Sequence, residues 1–130
     1  MKLCLSCLIQ GTKKDQEFAA SQPVLQGGTG YSSLGAFKRA QGPAGEGKDW
    51  HHIVEQRLES KFGPEAIHNT KNVVAIPREI HWKISAHYGT KPLGSLQTNR
   101  ERVGAMSFEE QYAYGKKVLE EEIRKFGDRR

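Results

Sequence analysis

Cysteine is almost absent, since the 130-residue chain has only Cys4 and Cys7. A disulfide framework needs more, a zinc ribbon needs a second C-x-x-C pair, and a redox motif is expected beside a βαβ pattern that is missing around this one. The pair therefore reads as incidental to a tail. Long apolar runs are missing as well, and no stretch approaches the roughly 20 residues of a membrane span. Residues 3–9 are apolar behind Lys2, but the run is short and Lys13-Lys14 follow it, so no classical signal peptide is read. A dense basic tract is the third absence. The net charge of +5 is spread as +3 over residues 1–40, +2 over 41–100 and zero over 101–130. Such a surplus permits a polyanionic partner without identifying one.

The length suits one small domain with its own core. From residue 10 to about 47 the composition turns to Gly, Ser, Gln and Ala, with glycine clusters at 27–30 and 42–47. Such a stretch buries too little apolar surface to offset its ordering entropy. Residues 1–41 are accordingly expected to be a low-complexity linker or tail and 42–130 the folded domain, its first element starting close to Lys48.

Within that domain the signals are local. Residues 49–54 mix an aromatic, two histidines and β-branched residues, which suits a short strand, and residues 72–76 suit a second. Pro77 ends the second strand and opens a helix expected over 77–88, with Ile80 and Ile84 on its buried side and Gly89 as C-cap. Between the strands an irregular loop is expected. Ser107 with Glu110 forms a capping box for a last helix, whose apolar stripe is Phe108, Tyr112, Gly115, Leu119, Ile123 and Phe126, with a stop at Gly127. The fold class is α+β.

The order strand, loop, strand, helix sets His51 and His52 on the first strand, Asn72 at the start of the second and His81 on the helix. Hydrolysis of a phosphodiester needs an activated water, a cation on the phosphate oxygens and a stabilised leaving alkoxide. A histidine with a pKa near ~6.5 accepts the water proton, and a divalent metal serves the other two needs. Neighbouring strand residues point to opposite sides, so one histidine as ligand and the other as base is the economical division. On the helix, Ser85 lies at i+4 from His81, whereas His87 lies six residues on and about 120° away around the axis. Trp50 is read as a packing anchor, and His68 and Asn69 as residues that shape the loop. Arg78 and Lys83 are candidate phosphate contacts, and Glu55 and Gln56 candidate supports for the histidines.

At these residues the sequence resembles the HNH (ββα-metal, His-Me finger) nuclease superfamily, and more closely the WHH-like toxin domains of bacterial polymorphic, Rhs-type toxins. The matching text is the 47–56 segment around Trp50-His51-His52, then Ile67-His68-Asn69-Thr70, Asn72-Val73-Val74, His81 and 84–88, and more loosely 107–119. The resemblance implies a small ββα-metal core with an additional C-terminal helix. It implies His51 and His81 as metal ligands, His52 as general base and Asn72 as the residue that orients the base and its loop. The eight residues between Asn72 and His81 agree with the spacing of colicin-type nucleases, whose further helix histidine falls on Ser85 here. The implied activity is an endonuclease acting on DNA ahead of RNA, with Mg²⁺ the default ion and Zn²⁺ or Ni²⁺ the alternatives. The implied biology is a delivered effector acting in the target-cell cytoplasm, with an acidic immunity protein as partner. Two alternatives stand beside it: a non-enzymatic zinc module built on His51, His81 and His87, and a phage or mobile-element HNH enzyme without an immunity partner.

Overall fold

The computed structural model describes residues 22–128. Cys4, Cys7, the apolar run at 3–9 and the first half of the expected linker lie outside the described residues.

Two short strands carry the expected order. Strand β1 (Lys48–His52) pairs antiparallel with β2 (Val73–Pro77), with His51 opposite Val74 and His52 opposite Val73. Between them, where an irregular loop was expected, the chain forms a 3₁₀ turn (Gln56–Leu58) and two single-turn helices, here α2 (Glu59–Phe62) and α3 (Pro64–Ile67). Gly63, with φ at +90°, ends α2, and Pro64 restarts the helix at its first position. Tertiary packing overrides weak propensity here, because Leu58, Phe62, Ala66 and Ile67 are all buried in one cluster with Val54 and Phe108.

Helix α4 (Arg78–Gly89) follows β2 directly, with Pro77 as both last strand residue and N-cap. Gly89 lies inside the helix and Thr90 is the C-cap, one residue beyond the expected position. Ile80, Ile84 and Tyr88 form its buried face in a second cluster with Ile53, Ile76, Val103 and Leu119. Helix α5 (Asn99–Gly104) was not expected, although Thr98 and Glu101 form a full capping box that the sequence spells out. In the last helix, α6 (Phe108–Asp128), the expected box is formed. The Glu110 N–H donates to Ser107 Oγ at 3.1 Å and the Ser107 N–H to Glu110 Oε1 at 3.0 Å. Gly127 does not stop this helix, and Ile123, expected in the core stripe, is exposed. Its fully buried residues end at Leu119, and beyond them Phe126 packs, partly buried, against the second cluster. At Gly115, α6 crosses so close to the end of β1 that a Cβ would lie 2.6 Å from the Ile53 carbonyl oxygen.

Over residues 22–41, the described part of the expected linker, the chain is folded. Residues 23–25 form a 3₁₀ turn and α1 spans Leu34–Gln41, capped by Ser33 Oγ accepting from the Ala36 N–H. Leu25 and Phe37 are buried, and Phe37 meets Trp50 edge to face at 4.9 Å. The 27–30 glycine cluster marks close approach: Tyr31 N–H donates to the His68 carbonyl, Thr70 N–H to the Thr29 carbonyl, and Gly30 bridges Asn69. A Cβ on Gly28 would collide with the Asn69 side chain. Averaged composition reads such glycines as flexible, whereas here they let two backbones touch.

The chain is thus a small mixed α+β domain with a two-stranded antiparallel sheet and several helices. Among the described residues no helix is long and apolar enough to cross a membrane.

Candidate active site

A cleft of about 720 Å³ opens between α1, β1 and α4. His51, His52, His81, Asp49, Ser85 and Lys38 all border it. Strand alternation separates the doublet's partners as expected: the His51 ring meets His81 edge to face and the His52 ring meets His68, each pair with centroids 5.3 Å apart. Both still reach the cleft, because His52 is the last residue of β1, where the chain leaves the sheet.

His51 is 6% exposed, and its Nε2 is buried without a hydrogen-bond partner among the described residues. An orphaned buried nitrogen costs free energy unless something binds it. The ring of His81, on the first turn of α4, packs edge to face against the His51 ring. The Nδ1 of His81 lies 3.0 Å from Asp49 Oδ2, while the Arg78 Nε donates to Asp49 Oδ1 at 3.1 Å. The hydrogen bond to His81, with Arg78 assisting, holds the Asp49 carboxyl below its ordinary range. An ionised Asp49 only accepts, so the hydrogen between the two sits on His81 Nδ1.

Burial, with the neighbouring imidazoles adding to it, pushes His51 down to about 4 and His52 to about 3. Both are therefore neutral at pH 7, the state that a metal ligand or a proton acceptor requires. A pH dependence follows for the metal-free protein. The unfolded chain takes up these protons near 6.5, the folded one only near 4 and 3, so the stabilisation is complete above about pH 6.5. As pH falls toward 4 it is lost at up to about 1.4 kcal/mol per unit for each ring. Urea titrations in EDTA between pH 7 and 4.5 should show the decline, and a His51→Asn/His52→Asn double variant should flatten it. An equal decline in both proteins would contradict this.

His52 Nε2 lies 3.2 Å from His68 Nδ1, and His68 Nε2 lies 3.0 Å from Glu59 Oε1. Asn72 does not border the cleft. It is fully buried behind it, where Oδ1 accepts from the Val54 N–H at 2.8 Å and Nδ2 donates to the Val54 and Ile67 carbonyls at 3.1 and 2.9 Å. Its own carbonyl accepts from the Ile53 N–H at 2.8 Å, so it clamps the chain directly after His52.

Of the other expected site residues, Ser85 borders the cleft and is exposed. Arg78 is occupied by Asp49 and lies outside the cleft lining. His87 points elsewhere, with Nε2 2.6 Å from the Tyr114 hydroxyl on α6. Glu55 pairs with Arg100 and Arg57. Trp50 packs as expected and donates from Nε1 to the Gly42 carbonyl.

Asp49, Glu59 and Lys38 were not among the expected site residues, and His68 was expected only to shape the loop. Asp49 was legible, since it stands two residues before His51 on one face of a strand. Glu59 and Lys38 reach the site from elements that no periodicity connects to it. Among the described residues, no group of three or more His, Cys, Asp or Glu side chains is arranged to hold a metal ion. No protein-family model, no curated protein and no solved structure matches this chain.

Proposed function

We propose that this protein is a metal-dependent endonuclease of the HNH type, hydrolysing phosphodiester bonds in nucleic acid, DNA ahead of RNA, as the toxin domain of a bacterial antagonism system. The observation that carries the reading is the orphaned Nε2 of His51, a residue whose ring packs against His81 and which shares one cleft with His81 and His52. On this reading β1, β2 and α4 form the ββα core.

His51 and His81 fit a divalent cation that completes its shell with water and phosphate oxygens. When bound, the cation supplies charge at the phosphate and the leaving oxygen. Mg²⁺ is the default, while two imidazoles also suit Zn²⁺ or Ni²⁺. Asp49 fixes the His81 tautomer and ring direction. Neutral His52 accepts the proton of the attacking water. Lys38 and Lys48, both on the cleft, attract the phosphate backbone. A basic effector of this kind, delivered into a target cell, pairs with an acidic immunity protein by charge complementarity.

The zinc-module reading needs His87 beside His51 and His81, and the Tyr114 hydrogen bond turns that ring away from the cleft. Incubation with plasmid DNA and with RNA, in Mg²⁺ and in EDTA, tests the proposal. Cleavage in Mg²⁺, lost in EDTA with the helical circular dichroism retained, is the expected result. Unfolding in EDTA would instead favour a structural metal. A phage or mobile-element enzyme would cleave equally but lack a neighbouring gene whose acidic product suppresses toxicity.

A further inference from the structure

Glu59, His68 and His52 form a chain of hydrogen-bonding groups from the domain surface to the cleft. His68 is 1% exposed, both of its ring nitrogens are engaged, and it comes from a segment with no other link to the cleft. Resting on the reading of His52 as the base, we infer that Glu59 and His68 are positioning residues that select the tautomer of His52 and make its Nδ1 the proton-accepting atom.

Donors and acceptors along this chain fix where the hydrogens sit. A carboxylate only accepts, so the hydrogen between Glu59 Oε1 and His68 must sit on His68 Nε2. With that nitrogen as the donor, the other nitrogen of His68, Nδ1, is the one that meets His52 Nε2, at 3.2 Å. Two ring nitrogens at that separation require one hydrogen between them, since two collide and none leaves both unsatisfied. The hydrogen therefore belongs to His52 Nε2, and the His52 lone pair is on Nδ1. Hydrogens on both His68 nitrogens would reverse this and leave the His52 lone pair on Nε2.

During hydrolysis the water proton moves to His52 Nδ1 while its oxygen forms the new P–O bond. The bond to the leaving oxygen breaks, and that alkoxide takes a proton from bulk water. The positive charge that forms on His52 is then hydrogen-bonded through Nε2–H to His68 and onward to the Glu59 carboxylate. The same division of labour, in which a carboxylate sets a histidine's tautomer without taking its proton, operates in hydrolytic triads.

Glu59 is the position to vary, because its side chain is 42% exposed and its loss leaves the core intact. Long-range ¹H–¹⁵N correlation spectra of the histidine-labelled full chain report each ring's tautomer without requiring activity. Both His52 and His68 are expected as Nε2–H forms. Glu59→Ala should mix these tautomers and lower kcat by about 10- to 100-fold with KM little changed. Glu59→Gln keeps an acceptor for His68 and should restore the spectrum and most of kcat. A wild-type His52 carrying its hydrogen on Nδ1 overturns the proposal, as does a Glu59→Ala protein with unchanged spectrum and kcat. Should the wild-type spectrum be as expected while neither DNA nor RNA is cleaved, the tautomer assignment stands and the nuclease reading is what fails.

Discussion

His52→Ala should lower plasmid cleavage by about 100- to 10,000-fold, the span that a positioned proton acceptor contributes, while leaving metal affinity nearly unchanged. The two effects separate because His52 and His51 look to different partners. His52 faces His68, and the facing pair assigned to the metal is His51 with His81. His51→Ala should therefore lose metal binding and cleavage together. Single-turnover nicking assays with calorimetric metal titration of both variants distinguish the roles. Undiminished nicking by His52→Ala would remove it as the base, and loss of metal binding in that variant would make it a ligand.

Asn72→Ala should destabilise the domain by about 3 kcal/mol or more, because each buried polar group left without a partner costs roughly 1–3 kcal/mol. Three groups are stranded at once: the Val54 N–H and the carbonyls of Val54 and Ile67. Small domains hold only about 5–15 kcal/mol in total, so the urea midpoint should fall steeply. Asn72→Asp should be no better, since a carboxylate cannot donate to the two carbonyls and would be a charge with 0% exposure. A loss under about 1 kcal/mol would show that the clamp is not what holds this loop. Asn72 thus acts on the site through the chain after His52, without touching the cleft.

Expectation and structure agreed where the signal was local. The strand–strand–helix order, the buried Ile80 and Ile84, and the Ser107–Glu110 box all follow from spacing within a few residues. Spacing on α4 also argued against grouping His87 with His81, and Tyr114 is the partner it has instead. Disagreement came where composition was averaged. The glycines at 27–30 and the small-residue stretch around Phe37 looked like linker, yet both are packed against the 50–70 region. The site residues missed were those whose partners are far along the chain: Lys38 joins from α1, and the Asp49–His81 contact spans 32 residues.

By itself the sequence determined which residue types carry chemistry and which short elements hold them, because helix and strand periods are properties of neighbouring residues. It also determined that His51 and His52 meet different partners, since the pleat alternates. Only the tertiary structure decided what those partners are. Asp49 beside His81, His68 and Glu59 behind His52, and Asn72 beneath the loop are joined by hydrogen bonds across 9 to 32 residues. Such contacts leave no periodic trace, because they arise from the packing of two apolar clusters and the close crossings at Gly28, Gly30 and Gly115.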